Sequence, residues 1–203
     1  MSYQLKVSPR NWPLHKPFKI SRDVHTHAET LVCEISDGTH TGRGEGAGVS
    51  YDGETIDSIR HQIEAVAADI EAGPSIEEIQ TLLPPGGARN AVDCALWDLE
   101  AKRAGQTIWQ MLGWQPKPVT TVYTVGIDTA ENMQADAAAH SEYPFIKVKV
   151  GIGDPLEQIG AINAGAPNAA IVIDANQAWT VADLERYTEP LAGMGVEMIE
   201  QPM

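Results

Sequence analysis

The stretch FIKVKVG, residues 145–151, alternates lysines with apolar residues and predicts a β-strand in a largely apolar setting. Side chains alternate along a strand, so Lys147 and Lys149 share one face, whereas Ile146, Val148 and Val150 share the other. Lysines are almost never buried without partners. This strand therefore predicts either a solvated face or a site in which the two amines have a chemical role.

The strand at residues 145–151 belongs to a regular repeat in the second half of the chain. Apolar runs and helical segments alternate there, and Lys149, Asp174 and Glu200 follow one another at intervals of 25 and 26 residues. Each interval accommodates one strand, one helix and two short loops. Such repetition predicts a parallel sheet, and since no Gly-x-Gly-x-x-Gly follows a strand, a (β/α)8 barrel is favoured over a dinucleotide-binding fold.

The first half of the chain predicts a mixed α+β domain. Residues 28–36 and 40–49 alternate in a strand pattern around an Asp-Gly turn and predict an antiparallel hairpin. Helical spacing of apolar residues follows in residues 54–72 and 88–104. The glycine-rich sequence at residues 42–48 lacks the Lys-Ser/Thr of a phosphate loop, and we interpret it as a loop that closes over the barrel mouth.

The βα repeat supplies only about half of a closed barrel. A typical barrel has roughly 250 residues, and we place the α+β domain in residues 1–115 and the first half of a barrel in residues 116–203. An open half barrel leaves strand edges unpaired. The sequence therefore predicts either a truncated chain or one that another polypeptide completes.

Composition restricts the classes of partner. The chain has 28 acidic and 14 basic residues, a formal net charge of −14, whereas nucleic acids and anionic membranes attract clustered positive charge. No apolar stretch approaches the roughly 18 residues of a membrane span, and no signal-like segment follows the first residue. The two cysteines lie far apart and predict neither a disulfide framework nor a zinc site. We therefore expect neither nucleic acid nor a membrane as a partner, and a cytoplasmic location.

Polar residues at the ends of the next two strands give the lysines a chemical context. Asp174 and Asn176 share one face of a strand, and Glu200 ends the following one. Barrel active sites lie at the C-terminal ends of strands, and two carboxylates beside lysines suit a hard divalent cation such as Mg²⁺. A lysine near apolar walls, other cations or a metal is expected to have a lowered pKa and to accept a proton near neutral pH. Each acid alone is also explained as a helix-capping residue.

These motifs together resemble those of the enolase superfamily, in its muconate-lactonizing-enzyme-like subgroup. The set Lys-x-Lys, Asp-x-Asn and Glu-Gln-Pro is specific in combination. Residues 88–113 resemble the helix that joins the family's capping domain to its barrel, and residues 123–133 resemble its first barrel strand and helix. The resemblance implies an α+β capping domain followed by a (β/α)8 TIM-type barrel, of which about the first half is present.

The resemblance also implies a chemistry. Lys149 would be the base on one face of the substrate, Lys147 its electrostatic companion, and Asp174 and Glu200 two of three Mg²⁺ ligands. The reaction would be abstraction of the proton α to a carboxylate, with the metal and the lysines stabilising the enediolate. The third carboxylate ligand and the lysine on the opposite face would lie beyond Met203, so we expect the chain alone to be inactive.

Within the subgroup, the sequence most resembles dipeptide epimerases of the L-Ala-D/L-Glu type. That likeness assigns three residues to substrate binding: Arg22 in the capping loop, which would meet a distal carboxylate, Thr124 on the first barrel strand, and Asn176 of the Asp-x-Asn motif. N-acylamino-acid racemisation, o-succinylbenzoate synthesis and muconate cycloisomerisation share the same first step and stay open. The implied partner is accordingly a small molecule, a dipeptide or an N-acylamino acid.

Two alternatives concern assembly. Unpaired strand edges and an apolar interior face would also suit a non-catalytic fragment that associates with other chains. A homo-oligomer stays open as well. An Asp-bearing strand and a later lysine-bearing strand, encoded beyond Met203, would distinguish the enzyme from the fragment.

Overall fold

The structure is a computed structural model that describes residues 2–19, 24–49 and 52–203. Contacts divide the chain into two compact units, one of Met1–Pro13 with His27–Lys117 and the other of Leu14–Thr26 with Pro118–Met203. The sequence did not predict that residues 14–26 belong with the C-terminal half. The assignment of residues 1–115 as a capping domain stays a prediction.

The first half of the chain is α+β, as predicted. One sheet has the strand order β1-β2-β3, with the bounds β1 (Gln4–Lys19), β2 (Val24–Ser36) and β3 (Thr41–Gly46). The helices that follow are α1 (Ile56–Ala65), α2 (Ala67–Glu71), α3 (Ile76–Leu82), α4 (Gly87–Ala104) and α5 (Ile108–Met111). The pairing of β2 with β3 is antiparallel, which confirms the hairpin.

Two predictions in this half were wrong in detail. The single helix predicted at residues 54–72 divides at Val66, which leaves the helical region at φ −116° and ψ 19° and has the low helix propensity of a β-branched residue. The interpretation of residues 42–48 as a loop over the barrel mouth is wrong for residues 42–46, which lie in β3 and pair in register with β2, as the strand prediction for residues 40–49 requires. The glycines of this strand allow the close approach of the helix that packs on it.

The helix that packs on β3 is α4. Gly42, Gly44 and Gly46 alternate along the strand and therefore share one face. A Cβ atom on any of them would overlap the backbone of α4, at the carbonyl oxygens of Ala95, Ala91 and Gly87 respectively. Only residues without a side chain permit this approach. The helix backbone consequently lies directly against the strand.

The first turn of helix α4 is capped by a residue that is distant in the sequence. Several helices of this half start at a Thr or Ser whose side chain accepts an N–H of the first turn, namely α1, α3 and α5. At α4 the acceptor comes from a distant residue, since Gly87 N–H donates to Glu54 Oε1 at 2.9 Å. Glu54 Oε2 also accepts the N–H of Val49 at 3.4 Å. One carboxylate thus joins the start of the helix to the end of the hairpin.

The second half of the chain is the predicted βα repeat. Its elements are β4 (Tyr123–Val125), α6 (Ala130–Ala139), β5 (Phe145–Lys149), α7 (Pro155–Gly165), β6 (Ala170–Asp174), α8 (Val181–Gly193) and β7 (Val196–Glu200). The strands are parallel and have the order β4-β5-β6-β7. An α+β region followed by part of a (β/α) barrel is therefore confirmed as the fold.

The core of this repeat lies between the sheet and its helices. Ile146, Val148 and Ile173 are fully buried on the same side as Met133 of α6 and Ile159 of α7. The other face of β5 carries Phe145, Lys147 and Lys149, all of them half-buried. In the part of the chain that the structure describes, no helix is long and apolar enough to cross a membrane.

Candidate active site

The parallel sheet brings the predicted site residues to one side. In its register Lys149 lies opposite Asp174, which in turn lies opposite Glu200, and Thr124 lies opposite Lys147. Residues in register on neighbouring strands point to the same side of a sheet. These five side chains are therefore on the side away from the helices, four of them close to the C-terminal ends of their strands.

Two ammonium groups and two carboxylates form a connected set. Lys147 Nζ lies 2.5 Å from Glu200 Oε2 and 2.9 Å from Asp174 Oδ2, and Lys149 Nζ donates to the same Asp174 oxygen at 2.7 Å. The side chain of Asp174 is only 2% exposed, and that of Lys149 is 12% exposed. Charges this far from solvent need partners. The two lysines on one strand face are accommodated because the next two strands supply the counter-charges.

The ion pairs also shift the pKa values of Lys147 and Asp174. Burial lowers the pKa of Lys147, but hydrogen bonds to Glu200 and Asp174 outweigh it, so the pKa is raised above its ordinary value. Burial raises the pKa of Asp174, yet the hydrogen bonds from Lys149 and Lys147 and from the backbone of Asn176 lower it overall. The expected lowering of a lysine pKa is therefore wrong for Lys147, because the two acids face its ammonium directly.

The backbone turns sharply after β6 and β7. Asn176, Gln177 and Gln201 have positive φ angles of 47°, 61° and 41°, a region that residues with a side chain seldom occupy. The N–H of Asn176 donates to Asp174 Oδ1 at 2.9 Å, and its side-chain oxygen accepts from Lys149 Nζ at 3.1 Å. Sequence reasoning assigned Asn176 to the substrate and missed this contact. The available signal was residue type, since Asn is enriched in left-handed backbone.

The donor set is suited to a divalent cation. Asp174 and Glu200 already share one cation, the Lys147 ammonium, so their oxygens converge on the same side. Mg²⁺ is commonly held by one or two carboxylates together with water and substrate oxygens. Among the described residues, no group of three or more His, Cys, Asp or Glu side chains forms a complete metal cluster. The assignment of Asp174 and Glu200 as ligands of such an ion stays a prediction.

The remaining substrate-binding predictions have different outcomes. Thr124 is half-buried on β4, next to Tyr123, whose hydroxyl donates to Asp136 Oδ1 at 2.9 Å and whose ring stacks on His140 at 3.7 Å. That packing fixes the strand on which Thr124 lies beside Lys147. Arg22 lies outside the described residues.

Comparisons with known proteins agree with this geometry. The profile described as "Mandelate racemase / muconate lactonizing enzyme, N-terminal domain" matches residues 2–113, and that described as "Enolase C-terminal domain-like" matches residues 128–203. The L-Ala-D/L-Glu epimerase of Escherichia coli (strain K12) is 37% identical over 202 residues, which are 98% of this chain and 63% of that protein. The chain thus spans less than two thirds of the length of this curated relative.

Solved structures give the same result. An enolase family member from Agrobacterium tumefaciens with homology to dipeptide epimerases, containing sodium and L-Ala-L-Glu, superposes with a TM-score of 0.94 at 39% identity, over 99% of this chain and 62% of that one. The dipeptide epimerase of Enterococcus faecalis, complexed with Mg and L-Leu-L-Tyr, gives 0.88 at 28% identity, over 100% and 62%. With both profiles and these relatives in agreement, the chain belongs to the enolase superfamily, in the mandelate racemase / muconate lactonizing enzyme family.

Proposed function

We propose that this chain supplies catalytic residues to a Mg²⁺-dependent epimerase of dipeptides of the L-Ala-D/L-Glu type, which removes the proton α to a carboxylate. The observation that supports the proposal is the cluster of Lys147, Lys149, Asp174 and Glu200 on one face of the parallel sheet, toward the C-terminal ends of its strands. Similarity to the Escherichia coli epimerase and to a structure that contains L-Ala-L-Glu supports the substrate class. The site of action is proposed to be the cytoplasm.

Each residue has a distinct role in the proposed reaction. Lys149 must first lose the ammonium proton that it donates to Asp174, and its amine then accepts the α proton from one face of the substrate. Lys147 contributes a positive charge held in place by Asp174 and Glu200. Asp174 and Glu200 would hold the Mg²⁺ ion. When bound, the ion supplies charge stabilisation to the substrate carboxylate. Thr124, Asn176 and Arg22 stay proposed substrate contacts.

The test is proton exchange at the substrate α carbon. The protein expressed from its whole gene is incubated with L-Ala-L-Glu and Mg²⁺ in D2O, and NMR follows deuterium incorporation and formation of the D-Glu epimer. Lys149→Ala should slow both by roughly 10²–10⁴-fold, the usual contribution of a positioned general base. Lys102→Ala, which alters an exposed ion pair in the first unit, is the matched control and should leave both rates unchanged.

Other substrates separate the proposal from its alternatives. Faster turnover of an N-acylamino acid than of the dipeptide would favour the racemase instead. Absence of exchange with both substrate classes would favour the non-catalytic fragment. Equal rates for wild type and Lys149→Ala would contradict the assignment of the base.

A further inference from the structure

The two lysines on β5 are held by different kinds of acceptor. Lys147 Nζ contacts two carboxylates, those of Asp174 and Glu200. Lys149 Nζ has one carboxylate acceptor, Asp174 Oδ2 at 2.7 Å, and one amide acceptor, Asn176 Oδ1 at 3.1 Å. Two acceptors fix the direction of an ammonium better than one, because a lysine side chain has four rotatable bonds of its own.

Both acceptors of Lys149 come from one short turn. The N–H of Asn176 donates to Asp174 Oδ1 at 2.9 Å, so the backbone of Asn176 also orients the carboxylate that accepts from Lys149. This arrangement accompanies the positive φ of 47° at Asn176. Asn tolerates that conformation better than most residues and at the same time provides a side-chain acceptor.

The amide oxygen of Asn176 differs from the carboxylate of Asp174 because only the carboxylate is proposed to bind the metal ion as well. A divalent cation would compete with Lys149 for the oxygens of Asp174, since Mg²⁺ sites in proteins use carboxylates. Asn176 Oδ1, the other acceptor of Lys149, is a neutral amide oxygen and so competes less for the ion than a carboxylate does. It is thus suited to hold the amine during the reaction.

We propose that Asn176 is a positioning residue, whose side chain directs Lys149 Nζ toward one face of the substrate and so controls proton removal from one of the two epimers. The consequence for turnover rests on the proposed function. The contact with Lys149 does not, so it can be tested without substrate.

The first test measures the order of the lysine side chains. In the whole protein with ¹³C-labelled lysine, NMR relaxation reports the mobility of each Cε methylene group, and loss of a signal in Lys149→Arg identifies Lys149. Asn176→Gly removes the amide and keeps the turn, because Gly adopts positive φ without strain. We expect the order of Lys149 Cε to fall and that of Lys147 Cε to stay unchanged. An unchanged order at Lys149 would overturn the inference.

A matched control lies one residue away. Gln177 also has positive φ, at 61°, so Gln177→Gly makes the same backbone change in the same turn and leaves Asn176 in place. We expect this variant to keep the order of Lys149 Cε. If it lowers that order as much as Asn176→Gly does, the turn as a whole, and not the Asn176 side chain, holds the lysine, and the inference is wrong.

The second test separates the two faces of the substrate. Deuterium incorporation from D2O is measured separately for L-Ala-L-Glu and L-Ala-D-Glu, and Lys149→Arg shows which epimer loses its proton to Lys149. Asn176→Gly should slow exchange of that same epimer by about tenfold or more, since misplacing a reacting group is costly, and the other by much less. Equal slowing of both epimers would make Asn176 a substrate contact and overturn the positioning role. If wild type exchanges neither epimer, the proposed function fails and lysine order alone decides the inference.

Discussion

The two units of this protein rely on different kinds of contact, one made by glycines and the other by charged side chains. In the first, β3 meets α4 through Gly42, Gly44 and Gly46, which contribute no side-chain atoms. In the second, neighbouring strands meet at their ends through charged side chains, with Lys147 and Asp174 at the centre. The first contact tolerates no added atoms, whereas the second depends on polar atoms that must not be removed.

This difference separates stability from chemistry. Adding even a single methyl group to a close-packed contact lowers the free energy of unfolding, because the added atoms overlap their neighbours. A paired charge set contributes less to net stability, because desolvation offsets much of the attraction. We therefore expect changes in the first unit to alter unfolding and changes at the strand ends to alter binding and catalysis.

The largest expected effect tests the glycine contact. Gly44→Val places a branched side chain against the carbonyl of Ala91 and should lower the free energy of unfolding by about 3 kcal/mol, or prevent folding. Arg43→Val puts the same residue on the exposed face of the same strand and should cost much less. Urea denaturation of both variants measures the difference. Similar losses would show that β3 does not need its glycines for packing.

The second prediction addresses the charged strand ends. Asp174→Asn should weaken Mg²⁺ binding at least as much as the roughly 10–100-fold found when an outer partner of a metal site is removed. Its stability loss should be smaller than that of Gly44→Val, because Lys147 keeps Glu200 and Lys149 keeps Asn176 as partners. Calorimetric Mg²⁺ titration and urea denaturation measure the two quantities.

The control for that prediction is the same chemical change elsewhere in the unit. Asp183 accepts the N–H of Thr180 at the start of α8. Asp183→Asn should leave Mg²⁺ affinity unchanged. Equal affinities for Asp174→Asn and wild type would contradict the assignment of Asp174 as a metal ligand.

The third prediction concerns the neutral interior beside β3. Cys33 pairs with Gly44 and is fully buried, and burial raises the pKa of its thiol from 9.0 to about 12. The folded state therefore favours the protonated thiol, and this stabilisation is complete below pH 9 and declines as the pH rises toward 12. By pH 10 the loss is about 1.4 kcal/mol.

Unfolding free energies between pH 7 and 10 measure this dependence. Cys33→Ala should flatten the alkaline decline, whereas Cys94→Ala, at the exposed cysteine, should retain most of it. An alkaline decline of the same size in Cys33→Ala and wild type would rule out the buried thiol as its source.

The smallest expected effect is at the start of α4. Glu54→Ala removes the acceptor of the Gly87 N–H and should cost about 1 kcal/mol, as for other helix caps. Glu64→Ala, at an exposed position of α1, serves as the comparison and should be nearly neutral. Thermal denaturation resolves the two. A neutral Glu54→Ala would mean that solvent caps α4 equally well.

The sequence predicted the second unit better than the first, for a physical reason. Strand ends at intervals of 25 and 26 residues place Lys149, Asp174 and Glu200 together because parallel strands share one register. The contact of Asn176 with Lys149 depends on a local backbone angle that spacing does not report. The raised pKa of Lys147 likewise depends on which acids face it.

The first unit was harder because its decisive residues carry no side chains. The alternation of residues 40–49 predicted the strand, whereas the low strand propensity of glycines such as Gly42 also suggested a loop. The close approach of α4, whose backbone leaves no room for a Cβ atom at Gly42, Gly44 or Gly46, explains why glycines occupy this strand. A tertiary contact thus overrides local propensity here.

The contact between β3 and α4 also has a natural length. Two strand residues advance about 6.6–6.8 Å, whereas four helix residues advance about 6.0 Å, so glycine and carbonyl drift apart by under one ångström at each step. The match is therefore close over three glycines, and it ends at Gly46 because the partner of Gly46, Gly87, is the first residue of α4. Gly48, the next glycine in the series, already faces the backbone of Glu54 instead of the helix. A further glycine would therefore lengthen this contact only if α4 also began one turn earlier.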